Sequence, residues 1–137
     1  MPRTERFGQE QVREYQDGEC VFLKGDATRE MFVIQSGSVE IVREGVTLRV
    51  LERGAMFGEM ALLESLPRSA DARAKGVTRL VEIKPGGFLL KVRRDPTFAF
   101  ELLRQVSSRL RATSDRLVQS MGAESVLAED PQIEDLP

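Results

Sequence analysis

A chain of 137 residues, 41% hydrophobic and 31% charged, reads as one soluble globular domain with short flanks, and it can bury about two-thirds of its unfolded surface without disulfide or metal staples. With no histidine and one cysteine, the usual ligand sets for zinc, iron–sulfur and haem are excluded, as is any Ser–His or Cys–His nucleophilic pair. The net charge of −2 gives no global pull towards nucleic acid. No apolar run is long enough to cross a bilayer, and the start Met-Pro-Arg-Thr-Glu lacks a signal peptide's apolar core, so a cytoplasmic location is the default expectation.

In chain order, Arg3 to Glu14 is polar, with Phe7 and Val12 as apolar points, and predicts a short helix leading into a strand at Val12–Tyr15. Asp17-Gly18 signals a turn. Cys20 to Lys24 is a compact strand-type run in which Cys20 reads as buried packing rather than a reactive thiol. Gly25-Asp26 turns the chain again. Met31 to Ile34 predicts a third strand, ended at Ser36-Gly37. Ser38 to Arg43 and Val46 to Leu51, joined at Glu44-Gly45, predict a hairpin.

Arg53-Gly54 then leads into Phe57-Gly58-Glu59-Met60-Ala61-Leu62-Leu63-Glu64-Ser65-Leu66-Pro67-Arg68-Ser69-Ala70. Gly58 imposes no side-chain wall on a partner. Met60 to Ser65 can form a short helix, which Pro67 stops while pushing Leu66 towards an extended conformation. Arg68 is thereby delivered to a fixed place, nine residues after Glu59. Helix amides and a guanidinium suit an anionic phosphate, and the Glu59 carboxylate suits a sugar hydroxyl. Together they describe a phosphate joined to a ribose.

This stretch resembles the phosphate-binding cassette of cyclic nucleotide-binding domains at Phe57, Gly58, Glu59, Ala61, Leu62, Pro67, Arg68, Ser69 and Ala70. The resemblance implies that Glu59 binds the ribose 2′-hydroxyl and that Arg68 pairs with the cyclic phosphate. Phe57, Gly58, Met60, Ala61, Ser69 and Ala70 complete the implied pocket. Asp71 and Ala72 depart from the Thr-Val common in relatives. Asp71 facing the pocket would repel phosphate, but alternation puts it on the side of Arg73, away from Ala70, Ala72 and Ala74.

Gly76 precedes a last predicted strand, Val77–Ile83. Short strands with Gly-rich turns indicate a sandwich or barrel. The family sharpens this to a mainly β fold with α: a double-stranded β-helix, or jelly-roll-like β-roll, with a short N-terminal and a long C-terminal helix. Phe88 to Val92 predicts a short helix closed by Asp95-Pro96, and a long helix follows from about Phe98 to Met121. On it Leu103, Val106, Leu110, Thr113 and Leu117 are spaced 3, 4, 3 and 4, a heptad seam. The seam suits packing along the chain's own sheet or against a second copy, and the resemblance implies a homodimer.

Arg109 to Arg116 resembles the dimer helix of the bacterial catabolite activator protein, where a Thr-Ser pair contacts the adenine amino group. Thr113 and Ser114 match that pair. Register-setting and plain exposure are their alternative roles. The implied ligand is cAMP, with cGMP as the alternative because a hydroxyl at Ser69 also suits guanine. Residues 1–121 form the expected domain, and 122–137, with Glu124, Glu129, Asp130, Glu134 and Asp135 and no Lys or Arg, an acidic, disordered tail. No helix-turn-helix region is expected after the long helix. The chain is thus expected to be a stand-alone cAMP sensor with an unknown downstream protein partner, and neither an enzyme nor a binder of DNA, membrane or metal. The alternatives are a ligand-free docking module of the same fold, a cGMP sensor and a DNA-binding regulator.

Overall fold

The computed structural model describes residues 10–121. They divide into two units, with the boundary between Ala99 and Phe100. The first holds strands β1 (Glu10–Tyr15), β2 (Cys20–Phe22), β3 (Met31–Arg43), β4 (Val46–Leu51) and β5 (Met56–Phe57), helix α1 (Glu59–Glu64), strand β6 (Asp71–Ile83) and helix α2 (Pro85–Arg94). Helix α3 (Pro96–Met121) begins there and runs through the second unit.

The six strands are all antiparallel, in the order β1-β6-β3-β4, with β2 on β6 and β5 on β3. Two of them, β3 and β6, each run for 13 residues and serve both halves of a folded sheet. The half before Gly37 and after Gly76 is β1-β6-β3-β5; the other half is β2-β6-β3-β4. Phe22, Phe32, Ile34, Val39, Phe57, Ala72 and Leu80, drawn from both halves, pack into one buried cluster. The sheet therefore closes on itself as a jelly roll. A fully buried side chain of this size contributes about 1.5–3 kcal/mol.

The fold in the sheet is made where the two long strands cross. Gly37 has φ 87°, and a Cβ there would lie 2.5 Å from both Thr78 Oγ1 and the Val77 carbonyl oxygen. Thr78, fully buried, accepts from the Ser38 amide at 3.2 Å and donates towards the Ser38 carbonyl at 3.0 Å. A buried hydroxyl needs such partners, and these tie the two bends together.

Four expectations are corrected here. The first strand, expected at Val12–Tyr15, already begins at Glu10, so residues 10 and 11 are strand rather than helix, because β1 pairs with β6 over six residues, Glu10↔Ile83 to Tyr15↔Thr78; the rest of the predicted N-terminal helix lies outside the described residues. The third strand does not end at Ser36-Gly37 but bends there and continues to Arg43, with register shifts on either side of Ser36. The last strand likewise begins at Asp71, not Val77, and passes through Gly76. Cys20 is exposed rather than buried. The acidic tail also lies outside the described residues.

Helix α2 opens with Pro85 at its first position and ends at Asp95. Its Lys91 pairs with Glu10 at 3.2 Å and lies 5.2 Å from the centre of the Phe98 ring. Phe88 meets Phe98 edge-on at 5.9 Å. In the second unit, Leu103, Val106, Leu110, Thr113 and Leu117 are exposed on α3. Pairs at helical spacing, Arg104 to Glu101 and Gln105 to Glu101, line the same helix.

Candidate functional site

The cassette begins where β5 ends. Phe57 is buried in the aromatic core, 5.3 Å from Phe32 and 6.0 Å from Phe22 between ring centres. Gly58 then takes φ 82°, a left-handed conformation that opens α1 as its N-cap. Glu59, Met60 and Ala61 are the first residues of α1, where amides have no intrahelical acceptor. Ala61 and Leu62 face the core, while Met60 is exposed. Glu59 is half-buried, with its Oε1 atom fully enclosed. Ser65, left-handed at φ 57°, closes the helix, and its amide bonds the Ala61 carbonyl at 3.1 Å.

Past Pro67 the chain is stapled to the loop that follows β2. The Gly25 amide donates to the Arg68 carbonyl at 2.8 Å, and the Arg68 amide donates to the Asp26 carbonyl at 2.9 Å. The Arg68 side chain turns inward and is 4% exposed. Its guanidinium carbon lies 4.1 Å from the centre of the Phe22 ring. Nε donates to Thr28 Oγ1 at 3.1 Å, Nη1 to the Gly58 carbonyl at 2.9 Å and Nη2 to the Glu30 carbonyl at 2.6 Å. Burial pushes its pKa below the ordinary arginine value, while the carboxylates of Glu30, Asp26 and Glu59 pull it back up. A guanidinium stays charged under this opposition.

The structure thus brings Gly58 and Arg68 into contact and sets Glu59 within electrostatic reach of the guanidinium. Ser69 is exposed beside Arg68, and Ala70, Ala72 and Ala74 are buried on one face of the following run. Asp71 accepts from the Lys24 amide at 2.7 Å, so its charge is engaged at the β2 end of the sheet. Thr113 and Ser114 lie in the second unit, both exposed on α3. Sequence reasoning missed Thr28, Glu30 and Phe22 as neighbours of Arg68. The Gly25-Asp26 turn was the only signal that this loop has a special shape.

A cationic group held over an aromatic ring, behind a glycine that admits close approach and beside a half-buried carboxylate, is chemically suited to an anionic, hydroxyl-bearing small molecule. This chain belongs to the cyclic nucleotide-binding domain family, which matches residues 12–95. It is 35% identical over 106 residues to the cyclic AMP receptor protein of Thermus thermophilus, covering 74% of this chain and 49% of that protein. Among solved structures it resembles the Thermus thermophilus catabolite activator protein, at 34% identity and a TM-score of 0.70 over 79% of this chain and 53% of that one. It also resembles a protein of a cyclic-GMP-dependent signalling pathway that regulates bacterial phytopathogenesis, at 32% identity and a TM-score of 0.66, over 78% and 87% of the two chains. The chain spans about half the length of the cyclic AMP receptor protein that it matches.

Proposed function

We propose that this chain is a regulatory module that binds cAMP in the α1 cassette and passes the binding event on through α3. The observation that carries the proposal is the buried Arg68 guanidinium, whose two terminal nitrogens rest on the backbone carbonyls of Gly58 and Glu30. Carbonyls are neutral acceptors. A phosphate adds a full opposite charge and a bidentate geometry that matches the guanidinium fork, so a cyclic phosphate entering beside Gly58 takes over these donors. The amides of Glu59, Met60 and Ala61 add to the anion's binding, and the Glu59 carboxylate accepts from the 2′-hydroxyl. One glutamate and one arginine provide binding, not an acid–base pair, which favours a receptor over an enzyme. Among the described residues, no helix is long and apolar enough to cross a membrane.

Thermal melting with cAMP and cGMP side by side tests this. A ligand that binds only the folded state stabilises by RT ln(1 + [L]/Kd), so cAMP well above Kd should raise the melting temperature by several degrees, and cGMP by less. A transition unmoved by either nucleotide at millimolar concentration removes the reading. A larger shift with cGMP selects the second reading, which the exposed Ser69 hydroxyl beside Arg68 supports.

The signalling half of the proposal rests on α3. Leu103, Val106, Leu110 and Leu117 expose an apolar stripe that a second copy would cover, and Thr113 and Ser114, exposed on the same helix, are the adenine contacts that the family resemblance suggests. A ligand touching both copies must strengthen dimerisation by the factor by which dimerisation strengthens binding, typically about 1–3 kcal/mol. Leu110→Lys is expected to reduce dimer and cAMP affinity together. Sedimentation across a dilution series, with and without cAMP, reads both. A monomer at high concentration that still binds cAMP tightly refutes the shared helix.

A further inference from the structure

We propose that Thr28 is the positioning residue for Arg68, the hydroxyl that sets the orientation in which the guanidinium meets the phosphate. This role rests on the nucleotide-binding reading above. A guanidinium is a planar fork with three donor nitrogens, and a bidentate grip requires the plane to be held in one rotation. In this structure the three nitrogens meet three different acceptors: Thr28 Oγ1 at Nε, the Gly58 carbonyl at Nη1 and the Glu30 carbonyl at Nη2. Only the first is a side chain, and it holds the nitrogen nearest the aliphatic stem. When an anion claims Nη1 and Nη2, the bond from Nε to Thr28 fixes the plane without competing for the terminal donors.

The loop makes Thr28 suited to this. Asp26, two residues before it, accepts from the Arg68 amide at 2.9 Å, and Gly25 donates to the Arg68 carbonyl at 2.8 Å. The Asp26 side chain closes the same turn by accepting from the Leu23 amide at 3.0 Å. The loop that carries Thr28 is thus tied, through Gly25 and Asp26, to the backbone of Arg68. The Phe22 ring lies against the guanidinium as well. Thr28 itself is exposed, so it buries no surface that the fold depends on. An exposed threonine whose hydroxyl meets a buried guanidinium has its consequence in the site.

The test is calorimetric titration of the full chain with cAMP and with cGMP for wild type, Thr28→Val and Thr28→Ser, and for Thr28→Val in an Arg68→Lys background. Thr28→Val, which keeps the shape and removes the acceptor, should weaken binding about tenfold, because the guanidinium plane is then no longer held in the rotation that grips an anion. Thr28→Ser should restore both wild-type affinity and the wild-type melting temperature, whereas unliganded Thr28→Val should melt a few degrees earlier but still cooperatively, because the buried Nε–H loses its acceptor. In the Arg68→Lys background, which has no Nε–H, the valine should cost nothing more. Wild-type affinity in Thr28→Val, failure of serine to rescue, or the same tenfold loss behind lysine overturns the positioning role while leaving the nucleotide reading in place. A wild-type chain that binds neither nucleotide removes both.

Discussion

Arg68→Ala is expected to weaken cAMP binding by about 2–5 kcal/mol, the usual cost of leaving one member of a desolvated charge pair unmatched. The side chain also joins Thr28, Gly58, Glu30 and the Phe22 ring, so its removal frees three acceptors at once. The unliganded protein should therefore melt earlier than wild type but still cooperatively, because the core cluster around Phe32 and Leu80 does not include Arg68. Arg68→Lys should fall between the two in affinity, since an ammonium supplies charge without the planar fork. Calorimetric titration alongside thermal melting separates the two effects. Unchanged affinity in Arg68→Ala would take the residue out of the site altogether.

Gly58→Ala should act on the same contact from the other side. At φ 82° an L side chain is strained whatever space surrounds it, and a Cβ here would lie 2.9 Å from Arg68 Nη1 and 3.1 Å from the Glu30 carbonyl oxygen. The guanidinium is the movable partner and the carbonyl is not. The variant is expected to lose about 1–3 kcal/mol of stability to backbone strain and, because Arg68 is pushed from its seat, to lose affinity at least tenfold. Reading both in one melting series with and without cAMP checks the coupling. Reduced stability with wild-type affinity would show that the guanidinium does not need this seat.

What the sequence disclosed, it disclosed where causes are local. Gly58, Pro67 and Arg68 lie within 11 residues, and each acts on its neighbours' backbone, so the helix and the placing of the arginine were readable in order. The inward acceptors of Arg68 were not, because Thr28 and Glu30 stand 40 and 38 positions away and meet it only through the folding of the sheet. Gly37 and Gly76 read as ends of strands because a left-handed glycine is as common in a turn as in a bend; only pairing across β3 and β6 shows that the strands continue. Cys20 was misplaced for a related reason, since three residues of β2 give too short an alternation to tell one face from the other. Asp71 was put on the correct side because the run from Ser69 to Ala74 is long enough to show its period, and its bond to the Lys24 amide agrees.

The pairing of β6 with β1, β2 and β3 carries a consequence for how the chain is made. Glu10 waits for Ile83, and Cys20 for Arg73, so nearly all of the sheet is closed by residues synthesised last among its strands. Before β6 emerges, the growing chain can form only the β3–β4 hairpin and the short β3–β5 pair, and an isolated hairpin is marginal in water. A fold so weighted towards distant partners belongs among the slower-closing topologies. Arg68 stands three residues ahead of β6. A chain that ends short of that strand therefore lacks the partner that β1, β2 and most of β3 pair with.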